Sequence, residues 1–142
     1  MIVPNPPAAV RVLLVDDEVP QLELRAAVMK THGFSVVTTS DPIETISIIA
    51  NTNETIDVAI LDYDMPVLNG CLLANRLRSA FPELKIILYS GAVDIPESEM
   101  TSIDVFVPKS DGMAALLNQI ADFTQGENGV PTASSWARRQ WA

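Results

Sequence analysis

Acidic residues stand at the ends of two apolar runs, where a carboxylate needs a specific partner. Asp16 and Asp17 directly follow "VRVLLV", and Asp62 directly follows "VAIL". An isolated carboxylate is costly to bury, so it is normally paired, hydrogen-bonded or bound to a metal. If both runs are strands of one parallel sheet, their ends share an edge. These three carboxylates then converge, with Asp64 as a fourth candidate.

Such a cluster repels itself unless a cation compensates its charge. Oxygen ligands with room for water favour Mg²⁺, which usually takes one or two carboxylates together with phosphate oxygens. Two further strand ends supply complementary groups. Ser90 and Gly91 offer a hydroxyl and an open backbone N–H, and Lys109 offers an ammonium group. The set predicts a phosphoryl-transfer site, because an aspartate carboxylate can attack phosphorus and hold it as an aspartyl phosphate.

The strands that must position these residues are visible as short apolar runs. Five are predicted: Val10–Val15, Phe34–Thr39, Val58–Leu61, Ile86–Tyr89 and Val105–Val107. Three runs are nearly unbroken, as expected of strands covered on both faces, whereas the second contains Ser and Thr and suits an edge. Segments with helical spacing lie between them. This alternation predicts a parallel sheet with helices on both faces.

Apolar stripes with helical periodicity predict the helices. The stripes are Leu22, Ala26 and Met29; Ile43, Ile46, Ile49 and Ala50; Leu73, Leu77, Ala80 and Phe81; and Met113, Leu116, Leu117, Ile120 and Phe123. Asp41 is the predicted N-cap of the second helix, with Pro42 at its first position. A helix over residues 95–102 has the least distinct stripe.

Composition bounds the class of protein. With 142 residues, 48% of them hydrophobic, the chain suits one domain with an ordinary core. The net charge of −9 argues against a nucleic-acid partner. The single cysteine, Cys71, fits a reducing compartment and is interpreted as a small helix residue. Without a signal-peptide pattern or an apolar run of the roughly 20 residues needed for a span, we expect a cytoplasmic protein with no membrane partner.

The ordered set of site residues resembles the receiver domains of two-component response regulators. The segments that carry the resemblance are "LLVDDE", "AILDYDMPVLNG", "IILYSG" and "VFVPKS". It implies a three-layer α/β/α, flavodoxin-like (βα)5 fold with parallel sheet order 2-1-3-4-5. The resemblance covers about residues 9–125, and we expect a receiver domain over residues 9–126. The prolines of residues 1–8 predict a flexible lead, and the polar residues 127–142 predict a flexible tail.

The resemblance implies a Mg²⁺ site built from the acidic cluster. Asp17 and Asp62 would ligate the ion directly, and the backbone carbonyl of Asp64 would be a third ligand. Asp16 would act partly through water. Asp62 would also be the phosphoacceptor.

The remaining site residues would contact the phosphoryl group or respond to it. Ser90, the backbone of Gly91 and Lys109 would contact its oxygens. Lys109 is followed by Ser110, where the family pattern has proline. A cis bond there would cost roughly 3 kcal/mol, so we expect a trans peptide and a shifted loop. Phe106 occupies the aromatic switch position and has no hydroxyl to reach toward Ser90.

The implied role is that of a switch with little turnover of its own. A histidine kinase or phosphotransfer protein would phosphorylate Asp62, and a downstream protein would read the result. No DNA-binding output domain is expected after Gly126. The terminal "WARRQW" is interpreted as a disordered end, with a docking or homodimer contact as the alternative. His32 is interpreted as a helix-end residue, not as a phosphodonor.

Two other functions stay open at the level of sequence. "LDYDMPV" also resembles the nucleophile motif of haloacid-dehalogenase-type phosphatases, in which the second Asp is a general acid/base. That motif normally lies on the first strand and does not explain Asp16 and Asp17 upstream. The other alternative is a receiver-like module that binds partners without phosphorylation. The missing Lys-Pro pair favours this alternative, and the complete acid, hydroxyl and lysine set argues against it.

Overall fold

The computed structural model of the protein describes residues 9–53, 55–92 and 94–127, with side chains as far as residue 123 in the last helix. Five strands form one parallel sheet of order β2-β1-β3-β4-β5. They are β1 Arg11–Val15, β2 Ser35–Thr39, β3 Val58–Leu61, β4 Lys85–Ser90 and β5 Val105–Pro108. The flavodoxin-like sheet order is therefore confirmed, and each strand lies within one residue of its predicted bounds.

Four α-helices connect or follow these strands in the described residues. They are α1 Val19–Thr31, α2 Thr45–Asn51, α3 Gly70–Ala80 and α4 Gly112–Glu127. Asp41 caps as predicted, because its carboxylate accepts the Ile43 N–H at 2.9 Å. The residues capped there form a short 3-10 helix, Pro42–Glu44, which leads into α2.

The predicted helix over residues 95–102 is wrong. A single 3-10 turn, Glu97–Glu99, replaces it, so the strand–helix alternation is incomplete after β4. Between Ile95 and Met100 the chain reads Pro-Glu-Ser-Glu, so the middle of the segment has no apolar side chain that could hold a helix against the core. The side chains of Ile95, Met100 and Ile103 are only partly buried against the core.

The sheet is covered on both faces, as the apolar runs predict. One face packs against α1 and α4, through residues that include Met29, Leu116 and Ile120. The other packs against α2 and α3, through residues that include Leu73 and Leu77. Burial of both faces fixes the strand register, so the residues that follow β1 and β3 are held side by side.

The predicted flexible lead and tail lie outside the described residues or at their margin. Residues 1–8 and 128–142, which include "WARRQW", are not described. The division of the chain into three parts therefore stays a prediction. Among the described residues, no helix has the length and apolar character that crossing a membrane requires.

Candidate phosphoryl-transfer site

The carboxylates after β1 and β3 meet at the carboxyl edge of the sheet. Val15 and Leu61 are register partners on neighbouring strands, so the next residues, Asp16 and Asp62, emerge together. Asp16, Asp17 and Asp62 each offer a carboxylate oxygen within 4.8 Å of the others. The structure thus brings together three of the four predicted acids.

This cluster is more buried than carboxylates usually are. Asp16 is 3% exposed and Asp62 is 6% exposed, whereas Asp17 is half-buried. Burial raises the pKa of Asp62, and Lys109 lowers it, while Asp16 and Asp64 raise it further. The pKa of Asp62 is raised overall, because the effect of burial outweighs that of the neighbouring ammonium group. An all-oxygen donor set of this kind fits a hard divalent cation such as Mg²⁺.

Lys109 reaches the cluster from the end of β5. Its Nζ lies 3.2 Å from Asp62 Oδ1 and 3.8 Å from Asp16 Oδ2. The residue opens a 3-10 turn, Lys109–Asp111, directly after Pro108. No cis peptide bond occurs in the described ranges, so the Lys109–Ser110 bond is trans as expected. Pro108 is tolerated because β5 is an edge strand.

Ser90 and Gly91 close the site on the side of β4. Ser90 is 1% exposed, and its Oγ accepts the Ala92 N–H at 3.0 Å. Gly91 is exposed, and a Cβ placed on it would meet only the Lys109 Cδ, at 4.0 Å. Gly91 therefore lies beside the lysine stem, with an open approach to its backbone.

The loop after Asp62 depends on Gly70, the last residue of the segment "AILDYDMPVLNG". A Cβ on Gly70 would overlap the Asp62 carbonyl oxygen and would lie 2.8 Å from Leu88 Cδ1. The Gly70 N–H donates to the Tyr63 carbonyl at 3.1 Å, and α3 begins there under an Asn69 cap. The start of α3 is thereby pressed against the backbone of Asp62. The Asp64 side chain is exposed on this loop.

Arg25 is a component of the site that sequence reasoning missed. Its NH1 donates to Asp16 Oδ2 at 2.5 Å, and its guanidinium carbon lies 5.2 Å from the centre of the Tyr89 ring. Arg25 stands on the apolar face of α1, between Leu22 and Ala26. The sequence does contain an indication of this role, because Arg25 interrupts the apolar stripe of α1. The apolar side of an amphipathic helix faces the core, so a cation on that side is expected to have a buried partner.

A second missed contact links the site to the segment after β4. We define residues 94–104 as the connecting segment. The Tyr63 hydroxyl donates to Glu99 Oε1 at 3.1 Å, and Tyr63 adjoins Asp62 in the chain. The carboxylate partner and burial of the ring raise the pKa of Tyr63, with burial the larger cause.

Phe106 lies on β5 opposite Leu88, whereas Ser90 lies opposite Pro108. Ser90 and Phe106 are thus two residues out of register on adjacent strands, and strand alternation places them on the same sheet face. Phe106 is partly buried against the core on the side of α2 and α3. The structure therefore places the predicted switch residue near Ser90 but not directly beside it.

His32 and Cys71 lie apart from the acidic cluster. His32 is exposed at the end of α1, where its Nδ1 lies 2.9 Å from the Val28 carbonyl oxygen. Cys71 is buried in α3, and burial together with the charge of Glu99 raises the pKa of its thiol to about 11. Both features agree with the structural interpretation of these residues.

Comparison with known proteins identifies the family. A family model described as the response regulator receiver domain matches residues 12–121. The response regulator MprA of Mycobacterium sp. (strain KMS) is 30% identical over 111 residues, covering 76% of this chain and 47% of the relative. MprA of Mycobacterium bovis (strain BCG / Pasteur 1173P2) is 27% identical over 134 residues, covering 92% of this chain and 57% of the relative. The chain spans about half the length of the curated relatives it matches.

Solved structures support the same assignment. The response regulator TrrA of Thermotoga maritima, determined in complex with Mg²⁺-BeF, is 26% identical with a TM-score of 0.73, covering 80% of this chain and 97% of that chain. TrrA was also determined in complex with the histidine kinase ThkA, at 25% identity, a TM-score of 0.69 and the same coverages. A CheY-like receiver domain from Methanospirillum hungatei shares the fold, at 22% identity and a TM-score of 0.76 over 86% of this chain and 99% of that chain.

Proposed function

The chain belongs to the response regulator receiver domain family, and on that premise we propose that it accepts a phosphoryl group on Asp62. The observation that carries the proposal is the surroundings of this residue. A buried carboxylate at the end of β3 lies among two further carboxylates, with an ammonium group 3.2 Å away. The family consists of regulators of two-component systems, not of conventional enzymes, which favours this role over the phosphatase alternative.

We propose that the donor is a phosphohistidine of a histidine kinase or phosphotransfer protein. An Asp62 oxygen attacks phosphorus, so that a P–O bond forms as the P–N bond breaks, and the leaving imidazole keeps the electron pair and takes up a proton. We propose that this transfer takes place in the cytoplasm. The complex of TrrA with a histidine kinase supports a kinase partner by analogy.

The acidic cluster is proposed to hold Mg²⁺ during this transfer. Asp17, Asp62 and the backbone carbonyl of Asp64 would be direct ligands, and Asp16 would contribute partly through water. The bound ion would neutralise charge on the transferring oxygens. The Mg²⁺-BeF complex of TrrA and the short distances among the three carboxylates support this proposal.

Ser90 and Lys109 are proposed to bind oxygens of the phosphoryl group. The Ser90 oxygen already accepts the Ala92 N–H, and its hydroxyl proton would be donated to a phosphoryl oxygen. Lys109 pairs with Asp62 and is 27% exposed, which leaves its flexible stem free to follow the new charge. The open backbone N–H of Gly91 would donate a further hydrogen bond.

Intact-protein mass spectrometry after incubation with Mg²⁺ and acetyl phosphate tests the phosphoacceptor. We expect one added phosphoryl group on the full chain, none in Asp62→Asn, and an unchanged adduct in Glu83→Gln, which removes an exposed carboxylate before the start of β4. An Mg²⁺-independent adduct, or one that persists in Asp62→Asn, would refute the assignment. If the parent chain gains no phosphoryl group and acetyl phosphate is not hydrolysed, the alternative of a receiver-like module that binds partners without phosphorylation would be supported.

The phosphoryl group is proposed to act on the connecting segment and Phe106. Movement of Ser90 and Lys109 toward the group would alter the packing beside Phe106 and the loop that carries Tyr63. The result would be read by a downstream protein or a second copy of the chain, and the equilibrium shifts only through interactions that are stronger in the active state. Backbone amide NMR spectra of residues 97–106, with and without beryllofluoride, test this, and identical spectra would exclude it.

A further inference from the structure

Arg25 is placed against Asp16 by the fold and not by chance surface contact. Its side chain is 15% exposed and that of Asp16 is 4% exposed, so their ion pair is shielded from water. The planar guanidinium also lies against the Tyr89 ring, an arrangement that suits arginine better than lysine. Arg25 and Asp16 line a small pocket together with Asp62, Tyr89 and apolar side chains.

Both oxygens of Asp16 are engaged by this chain. Oδ1 accepts the Glu18 N–H at 2.9 Å. Oδ2 accepts Arg25 NH1 at 2.5 Å and lies 3.8 Å from Lys109 Nζ. A divalent cation that draws on Asp16, directly or through water, must compete with these donors for the same lone pairs. Arg25 is the closest of them and the only one fixed by an aromatic ring in the described residues.

Arg25 also changes the charge that attracts a cation. The three carboxylates of the cluster face two cations, Arg25 and Lys109, which leaves one net negative charge. Without Arg25 the same groups would carry two. Since a divalent ion interacts with the whole cluster, this difference enters its binding free energy directly.

We propose that Arg25 is a built-in counter-ion of the acidic cluster that lowers its affinity for Mg²⁺. The guanidinium compensates Asp16 when no metal is bound, and Mg²⁺ must displace or share that contact. Arg25 is thus a positioning residue that sets the Mg²⁺ concentration at which the site fills. The inference rests on the proposed function only in taking these carboxylates as the Mg²⁺ site.

Titration of the full chain with Mg²⁺, followed by amide NMR shifts of Asp17, Glu18 and Tyr63, tests the inference without any phosphodonor. We expect Arg25→Gln to lower the Mg²⁺ dissociation constant roughly tenfold, since one nearby charge is removed and each 1.4 kcal/mol is a factor of ten. Arg25→Lys, which keeps the charge, should stay close to the parent. Arg76→Gln removes an exposed arginine of α3 and is the matched control, expected within about twofold.

A dissociation constant for Arg25→Gln that equals or exceeds the parent value would overturn the inference. If Arg25→Gln fails to fold, Arg25→Met provides the second test, because it removes the charge but keeps an apolar stem on the apolar face of α1. We expect Arg25→Met to lower the Mg²⁺ dissociation constant roughly tenfold as well, and unchanged binding would refute the inference.

The two proposals fail in distinguishable ways. Tighter Mg²⁺ binding in Arg25→Gln, with no phosphoryl adduct on the parent chain, would refute the phosphoacceptor role and leave the counter-ion role standing. A Mg²⁺-dependent adduct on Asp62, with no change of Mg²⁺ affinity in Arg25→Gln, would support the phosphoacceptor role and refute the counter-ion role.

Discussion

The acidic cluster lies at the carboxyl edge of the sheet, whereas the connecting segment runs from the end of β4 to the start of β5, and the two are held in different ways. Asp16 and Asp62 follow strands whose residues are almost all buried, and the cluster is compensated by Arg25 and Lys109. In the connecting segment no residue is buried, and its contacts with the rest of the chain include the hydrogen bonds of Tyr63 and Arg78. The chemical groups are therefore fixed by the core, whereas the segment proposed to move is held by polar contacts and by apolar side chains that are only partly buried, and these cost less to release.

Gly70→Ala should have the largest effect, because it disturbs the rigid region. The added Cβ would overlap the Asp62 carbonyl oxygen and Leu88, so the start of α3 or the strand end must shift. We expect the free energy of unfolding to fall by about 3 kcal/mol, measured by urea denaturation.

Gly91→Ala is the matched control for that substitution. Its Cβ would meet only the Lys109 stem at 4.0 Å, so we expect a change of about 0.5 kcal/mol or less. If Gly70→Ala were as stable as Gly91→Ala, the rigid packing of the Asp62 backbone would be disproved.

Arg78→Met should have the next largest effect and acts on the connecting segment. Arg78 donates to the Ser102 carbonyl at 3.1 Å and to Asp104 Oδ2 at 2.7 Å, and also to the Leu84 carbonyl at 2.6 Å. Methionine keeps the apolar stem but removes these donors, at a cost of about 1.5 kcal/mol given the partial exposure.

Hydrogen exchange shows where that loss falls. Amides of residues 99–104 should exchange faster in Arg78→Met. Amides of β1 and β3 should slow or speed up only as much as the change in the global free energy of unfolding requires. The control is Arg76→Met, on the exposed side of the same helix. Uniformly faster exchange would mean that the segment is not an independently opening unit.

Tyr63→Phe should have a smaller effect, because it removes one partly exposed hydrogen bond. The Tyr63–Glu99 bond joins the phosphoacceptor loop to the connecting segment. We expect a loss of about 0.5 kcal/mol and a similar coupling energy in a double-mutant cycle with Glu99→Ala. A coupling energy of zero would show that the contact does not connect the two regions.

The last prediction concerns the reactivity of the Cys71 thiol and involves no substitution. We expect this thiol to react slowly in the folded protein. With a thiol pKa raised to about 11, the reactive thiolate amounts to about one part in a thousand at pH 8. Alkylation by iodoacetamide at pH 8 should be at least tenfold slower than in the guanidinium-unfolded chain, and it should accelerate as the pH approaches 11. Equal rates for the folded and unfolded chains would show that the α3 side of the core opens readily.

Much of the fold could be predicted from residues close together in the chain. Unbroken apolar runs such as Val58–Leu61 report burial on both faces, and Asp41 caps its turn through a bond two residues away. The sheet order came from the resemblance, because no local pattern states which strands are neighbours. The helix over residues 95–102 was predicted wrongly, since the middle of the segment has no apolar side chain to pack against the core.

The candidate site divides in the same way. That Asp16, Asp17, Asp62, Ser90 and Lys109 follow strand ends is written in the sequence, and a parallel sheet brings all such ends to one edge. Their functional roles remain predictions. Tertiary structure alone decided that Arg25 compensates the cluster in addition to the predicted Lys109. Arg25 of α1 contacts Asp16 at the end of β1, and Gly70 at the start of α3 lies against the backbone of Asp62. Both contacts join different elements, and the distances between elements depend on packing and not on spacing along the chain.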